Sequence, residues 1–275
     1  MARGFGTGAG RFSYNVTTVY SMFPTSLSSS IVFISGASAG IGEACAQVFS
    51  EAGAKCILMA RRTDRLHELA AKLPTSSRVL SCDVRDRSAV HRAVESLEPE
   101  WKNIDVLINN AGLSRGLATL QDGLEDDWDE MIDTNVKGLL YVTKSILPDM
   151  IQRGNGMIIN IASVAGRQVY PKGNVYCASK HAVRALSEGL QTDVLGTGVR
   201  VSNIDPGMVE TEFSLVRFKG DEERAKQTYK GLRPLTAMDV AHTALFCATR
   251  PAHVSIQDIL LMPTDQASTH HAHRV

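Results

Sequence analysis

Tyr176 and Lys180 stand four residues apart in Asn174-Val-Tyr-Cys-Ala-Ser-Lys180, and Ser163 lies thirteen residues upstream of the tyrosine. On a helix, residues i and i+4 share one face, with Cβ atoms about 5–6 Å apart. An ammonium held that close to a phenol favours the phenolate, so the spacing predicts a tyrosine pKa below its reference of about 10. Such a tyrosine can exchange a proton with a substrate hydroxyl or carbonyl oxygen, and a nearby serine hydroxyl can hold that same oxygen. Tyr-x-x-x-Lys also arises on ordinary amphipathic helices. The pair therefore gains meaning only from the elements that position it.

Those elements alternate along the chain. Apolar runs of strand length are expected at Ile31–Ser35, Lys55–Ala60, Val79–Asp83, Asp105–Ile108, Met157–Ile161, Val199–Ile204 and near Ile259–Leu261. Helices are expected between them: Glu43–Glu51, Asp64–Leu73 with Asp64 as cap, Ser88–Leu97, one long helix Trp128–Met150, the Tyr/Lys segment to about Leu195, and Asp239–Ala248. Strands apolar on both faces, alternating with helices, give a parallel sheet covered on both sides. The fold class is α/β: a single doubly wound, Rossmann-like domain of about seven strands, with its ligand crevice at their carboxyl ends.

Ser35-Gly-Ala-Ser-Ala-Gly-Ile-Gly42 follows the first strand directly and opens the first helix. Its spacing is Gly-x-x-x-Gly-x-Gly, with Gly36, Gly40 and Gly42. A glycine turn here lets backbone approach a pyrophosphate, whose oxygens meet free amides of Ser38, Ala39 and Ile41 at the helix N-terminus. A structural turn is the plain alternative. The second strand ends without the acid that usually receives a ribose 2′-hydroxyl, and Arg61-Arg62 follow. Guanidinium groups suit a 2′-phosphate, so NADP is favoured over NAD. A solvated pair, one member partnered by Asp64, is the alternative. Asp83 and Val84, at the end of strand three, are placed to contact adenine; a capping role is the other reading of Asp83.

Composition narrows the field. The chain has 275 residues, formal net charge zero and 21% charged residues, which gives no reason to expect nucleic acid or an acidic membrane as partner. No apolar run reaches the roughly 18 residues of a membrane span. Five scattered cysteines without a CxxC pair suggest neither a metal site nor a disulfide framework, and a reducing, cytoplasmic setting fits. Residues 1–30 contain no Asp or Glu and are rich in Gly, Ser and Thr, as expected of a flexible extension. An acid-poor leader is also compatible with a mitochondrial transit peptide. Residues 264–275 read as a polar tail whose His270, His271 and His273 are solvated rather than ligands.

From Ile31 to about Pro263 the chain resembles the short-chain dehydrogenase/reductase family. The resemblance rests on Gly36, Gly40 and Gly42, on Asn109-Asn-Ala-Gly112, on Asn135, Ser163, Tyr176 and Lys180, and on Pro206-Gly207 with Thr211 downstream. It implies a catalytic domain over 31–263. Tyr176 would be the acid/base and Ser163 would hold the substrate oxygen. Lys180 would bind the nicotinamide ribose and lower the tyrosine pKa, and Asn135 would position a relay water. It also implies NADP contacts from Asn110, Tyr176, Lys180, Pro206, Gly207, Val209 and Thr211, and a homotetramer.

The segment Pro206–Asp221, with Tyr229, Pro251-Ala-His-Val254 and Leu261-Met-Pro263, is similar to the NADP-dependent 3-hydroxy acid dehydrogenase branch, which acts on serine, L-allo-threonine and related acids. A desolvated carboxylate needs a cation. Arg115, Arg167, Arg217 and Lys219 are the candidates, with a solvated basic face as the plain alternative. A carbonyl reductase for larger ketones and a catalytically silent NADP-sensing protein remain competing functions.

Overall fold

In a computed structural model, residues 27–275 are described. Seven strands form one sheet: β1 (Ile31–Ser35), β2 (Lys55–Ala60), β3 (Ser77–Ser81), β4 (Val106–Asn109), β5 (Gly156–Ile161), β6 (Val199–Pro206) and β7 (Asp258–Leu261). All pairs are parallel and the order is β3-β2-β1-β4-β5-β6-β7. The order reverses between β1 and β4, which opens a crevice at their carboxyl ends. The expected α/β doubly wound class therefore holds.

The apolar strand runs are explained by two covering layers. Side chains alternate across a strand. Val32, Ile34, Leu58, Ile108 and Ile159 pack toward α1 (Gly40–Glu51), α2 (Thr63–Ala70) and, late in the chain, Ala237–Ala248. Phe33, Ile57, Leu107 and Ile158 face the other way, against α3 (Arg87–Glu95), Trp101 of α4 (Pro99–Lys102) and the helix at 139–153. Each layer shields one face, so the few polar side chains on central strands, such as Asn109, Asn160 and Asp205, are buried and partnered.

Several boundaries differ from expectation. Asp64 does not cap α2, whose N-cap is Arg62, and α2 stops at Ala70 rather than Leu73. Asp86 caps α3 by accepting the Ala89 amide at 2.9 Å, so that helix starts one residue before Ser88. The single helix expected over Trp128–Met150 is α5 (Glu125–Ile132) and α6 (Leu139–Arg153), joined by a wide π turn over Asp133–Gly138. Such turns re-aim side chains, and this one carries Asn135. The Tyr/Lys helix is α7 (Asn174–Asp193). After β6 come α8 (Phe213–Arg217), α9 (Glu222–Tyr229) and α10 (Ala237–Ala248), the last closed by a reciprocal Thr236/Asp239 capping box.

The chain ends also differ. The extension expected over 1–30 lies outside the described residues except for its last four. Of those, Leu27 packs on the core and donates its amide to Ala52 at 2.8 Å. Residues 264–275 are polar but anchored. Buried Gln266 accepts the Met208 amide at 2.8 Å, and the Val275 amide bonds the Gly231 carbonyl at 2.9 Å. His270 bonds the Val169 carbonyl at 2.8 Å and His271 bonds Ser268 at 2.9 Å, so these histidines are tethered rather than merely solvated. Backbone pairing supplies the frame that composition alone did not reveal.

Candidate active site

The glycine turn works through close contact. Gly36 has φ +68° and Gly40 φ +58°, conformations that favour glycine. A Cβ on Gly42 would lie 2.3 Å from the Gly36 carbonyl oxygen and 2.5 Å from the Asn110 amide nitrogen. Asn110 fastens the turn by donating to the Ser35 and Gly36 carbonyls at 3.2 and 3.1 Å. In front of it lies a crevice of about 610 Å³. Gly36, Ser38, Ala39, Gly40 and Ile41 line it, as do Arg61, Arg62, Asp83, Val84 and Asn110, and Pro206, Gly207, Val209 and Thr211 on the far side. Ser163, Tyr176 and Lys180 line it too. Gly42 does not; its place is the packing of α1 on the turn.

The arginines after β2 behave differently from one another. Arg61 is exposed, about 4 Å from Asp83 and Glu130. Arg62 donates to Ser38 Oγ at 3.1 Å and to Glu212 at 2.8 Å, and Arg65 donates to Glu212 at 2.7 Å. Asp64 partners neither. Burial pushes the Asp83 carboxyl up, but a bidentate bond from Arg85 outweighs it and holds Asp83 below the usual range. Arg65 and Glu212 escaped the sequence reading. Arg65 was findable, since it lies one helical turn from Arg61 and Arg62; Glu212 carried no local signal.

At the foot of the crevice Tyr176 and Lys180 are buried, at 7% and 6% exposure. Ser163 caps a short turn by accepting the Ala165 amide at 3.1 Å. The π turn lets Asn135 accept the Leu113 amide and donate to the Leu113 carbonyl, both at 2.8 Å, and donate to Ser179 at 3.0 Å. A Cβ on Gly112 would lie 3.2 Å from Asn135 Oδ1 and 3.4 Å from Lys180 Nζ, so these two groups meet beside the Asn-Asn-Ala-Gly loop.

The expected drop in the tyrosine pKa is not what the packed site gives. Burial raises the Tyr176 phenol well above its ordinary value, and nearby Tyr170 adds to this. Ser163, through a hydrogen bond, and the Arg217 guanidinium oppose it without prevailing. Lys180 donates to the Ile161 carbonyl at 2.9 Å and is itself lowered to about 8 by burial, with buried Asp205 opposing. The i, i+4 argument ignored desolvation, which dominates when both groups leave water.

The four candidate cations separate. Arg167 is away from the crevice: it bonds buried Asp205 at 2.6 Å and also pairs with Asp258 of the edge strand β7. That partnership engages its guanidinium outside the crevice lining. Asp205 in turn accepts the Ser163 amide at 3.2 Å. It was missed, although an acid inside an apolar strand is a readable signal. Arg115 lines the crevice but is bound to Glu130 at 2.6 Å and to the Val216 carbonyl. Lys219 lines it and pairs with Asp127 at 2.8 Å. Arg217 donates to Tyr170 Oη at 2.6 Å and to the Gly116 carbonyl at 3.0 Å. Its guanidinium stands 5.8 Å from the Tyr176 ring centre, in an adjoining cavity of about 350 Å³ that Tyr176 and Ser114 also line.

A nucleotide-sized crevice at the sheet's switch point, with buried Tyr176 and Lys180 beside half-buried Ser163 at its foot, defines a class of dinucleotide-dependent oxidoreductase folds. The short chain dehydrogenase family model matches residues 30–221, and the chain belongs to that family. It is 46% identical over 238 residues to an NADP-dependent 3-hydroxy acid dehydrogenase of Escherichia coli (strain K12), covering 86% of this chain and 96% of that one. It is 43% identical over 239 residues to a serine 3-dehydrogenase of Rhizobium radiobacter, covering 87% and 96%. Among solved structures, the closed form of a serine dehydrogenase complexed with NADP+ superposes with TM-score 0.86 at 45% identity, over 89% of this chain and all of that one.

Proposed function

We propose that the protein oxidises a small 3-hydroxy acid such as L-serine, L-allo-threonine or 3-hydroxyisobutyrate, with NADP as cofactor. The observation that carries the reading is Arg217, a guanidinium 5.8 Å from the ring of the buried Tyr176. A carboxylate on Arg217 sets the neighbouring 3-hydroxyl toward the phenol. Ser114 supports this subsite: its Oγ is buried without a hydrogen-bond partner, and the residue lines the same cavity.

The residues fit NADP on this structure's own terms: a cradle that a Cβ would fill, and Arg62 and Arg65 at its adenosine end. When bound, the cofactor supplies the hydride acceptor; the rest falls to the chain. Tyr176 takes the hydroxyl proton as the C3–H bond breaks. Ser163 holds the same oxygen. Lys180 binds ribose hydroxyls, and its positive charge stabilises the tyrosinate that burial opposes. Asn135 holds a water that links Lys180 to solvent.

Dinucleotide contacts come from Gly36, Ser38, Ala39, Gly40, Ile41, Asp83, Val84, Asn110, Pro206, Gly207, Val209 and Thr211. The active unit is a homotetramer in the cytoplasm, its catalytic domain spanning 31–263. Exposed Leu140 and Ile151 on α6 support assembly, and no helix among the described residues is long and apolar enough to cross a membrane.

The test is NADP+ reduction with the three acids against a panel of bulky alcohols. Turnover confined to the acids supports the proposal. Turnover confined to bulky substrates sinks it in favour of a carbonyl reductase, and no turnover despite NADP+ binding in favour of a sensor.

A further inference from the structure

Arg62 and Arg65 converge on one carboxylate. Arg62 donates to Glu212 Oε2 at 2.8 Å, and Arg65 Nη1 donates to Oε1 and Oε2 at 2.7 and 2.9 Å. Arg62 Nε also reaches Ser38 Oγ at 3.1 Å. Glu212 lies about 150 residues from the two arginines in sequence, just before α8, so the bond is a tertiary clasp across the crevice mouth. All four residues line the nucleotide crevice. The carboxyl of Glu212 is held below its ordinary range, first by the Arg62 hydrogen bond.

A carboxylate and a phosphate monoester present similar oxygen pairs to a guanidinium fork. The N–H groups that suit a 2′-phosphate are therefore already engaged by an internal anion of the same sign. Resting on the reading of Arg62 as a 2′-phosphate ligand, we infer that Glu212 sets cofactor specificity by competing with that phosphate for Arg62 and Arg65. Binding of NADP displaces Glu212 from at least one guanidinium, whereas NAD, with a plain ribose hydroxyl, leaves the clasp closed. Glu212 thus tempers NADP affinity and leaves NAD affinity alone. All three side chains are more than two-fifths exposed, so water screens the competition and the effect is modest.

Calorimetric titration of wild type and Glu212→Gln with NADP+ and with NAD+ decides it. Glutamine keeps the shape and removes the charge. The expected result is NADP+ binding about three- to tenfold tighter in the variant, with a larger gain at low ionic strength, and unchanged NAD+ binding. Unchanged or weaker NADP+ binding overturns the proposal, and so does an equal shift for both cofactors, which marks Glu212 as a loop support only. Equal wild-type affinity for the two cofactors instead overturns Arg62 as the phosphate ligand, and the competition with it.

Discussion

Arg167→Met tests how the structure reassigns this residue. Asp205 is fully buried, and its two oxygens rest on the Arg167 guanidinium at 2.6 Å and the Ser163 amide at 3.2 Å. Removing one partner of a buried ion pair costs about 3–5 kcal/mol. Arg167 is a quarter exposed and the amide bond survives, so the lower end applies, about 3 kcal/mol. The pH dependence gives the signature. Burial already raises the folded-state pKa of Asp205 despite Arg167. A raised carboxyl pKa means that the folded state holds a proton the unfolded state has lost, so stability falls as pH rises through the folded pKa. Without Arg167 that pKa climbs further. The deficit therefore grows as pH rises from the ordinary carboxyl range toward neutrality. Urea unfolding of the cofactor-free protein, at several pH values in that range, measures it. Adding Asp205→Asn removes the buried charge and recovers much of the loss. A deficit under about 1 kcal/mol that is flat with pH refutes the reasoning, and a raised KM for L-serine at full stability restores Arg167 as a substrate ligand.

Lys180→Met abolishes turnover yet makes the cofactor-free protein more stable near pH 7, because burial holds the ammonium at about 8 against its ordinary 10.5. The sign follows: wild-type stability rises from about pH 8 to about pH 10.5 as the folded-state cost of the charge vanishes, so the variant's advantage fades over that range in thermal or urea unfolding. Arg217→Met raises KM for L-serine at least tenfold, as expected for loss of a charge-assisted bond, with NADP+ affinity unchanged by titration; an unchanged KM rules out Arg217 as the carboxylate ligand.

The sheet was readable because its strands are apolar on both faces, a pattern that only a covered parallel sheet produces. The Gly36–Gly42 turn and the Tyr176/Lys180 pair were readable because their chemistry depends on short spacing. What stayed hidden depends on long-range contact. The π turn that aims Asn135 at Leu113 keeps helical periodicity on either side, so the sequence resembles one helix. Asp205 and Arg167 are 38 residues apart, and Glu212 lies about 150 from Arg62; such pairings leave no local trace. Burial likewise reversed the expected Tyr176 shift, since desolvation is a property of the packed site.

The central claim is that Tyr176 moves the proton while NADP+ accepts the hydride from a small 3-hydroxy acid. Single-turnover NADPH formation with L-serine, in wild type and Tyr176→Phe, tests it most directly, with NADP+ affinity titrated in parallel. The account predicts a drop of about 10²–10⁴-fold in the phenylalanine variant, the range for a lost general base, with NADP+ binding retained. Full turnover in Tyr176→Phe would contradict it.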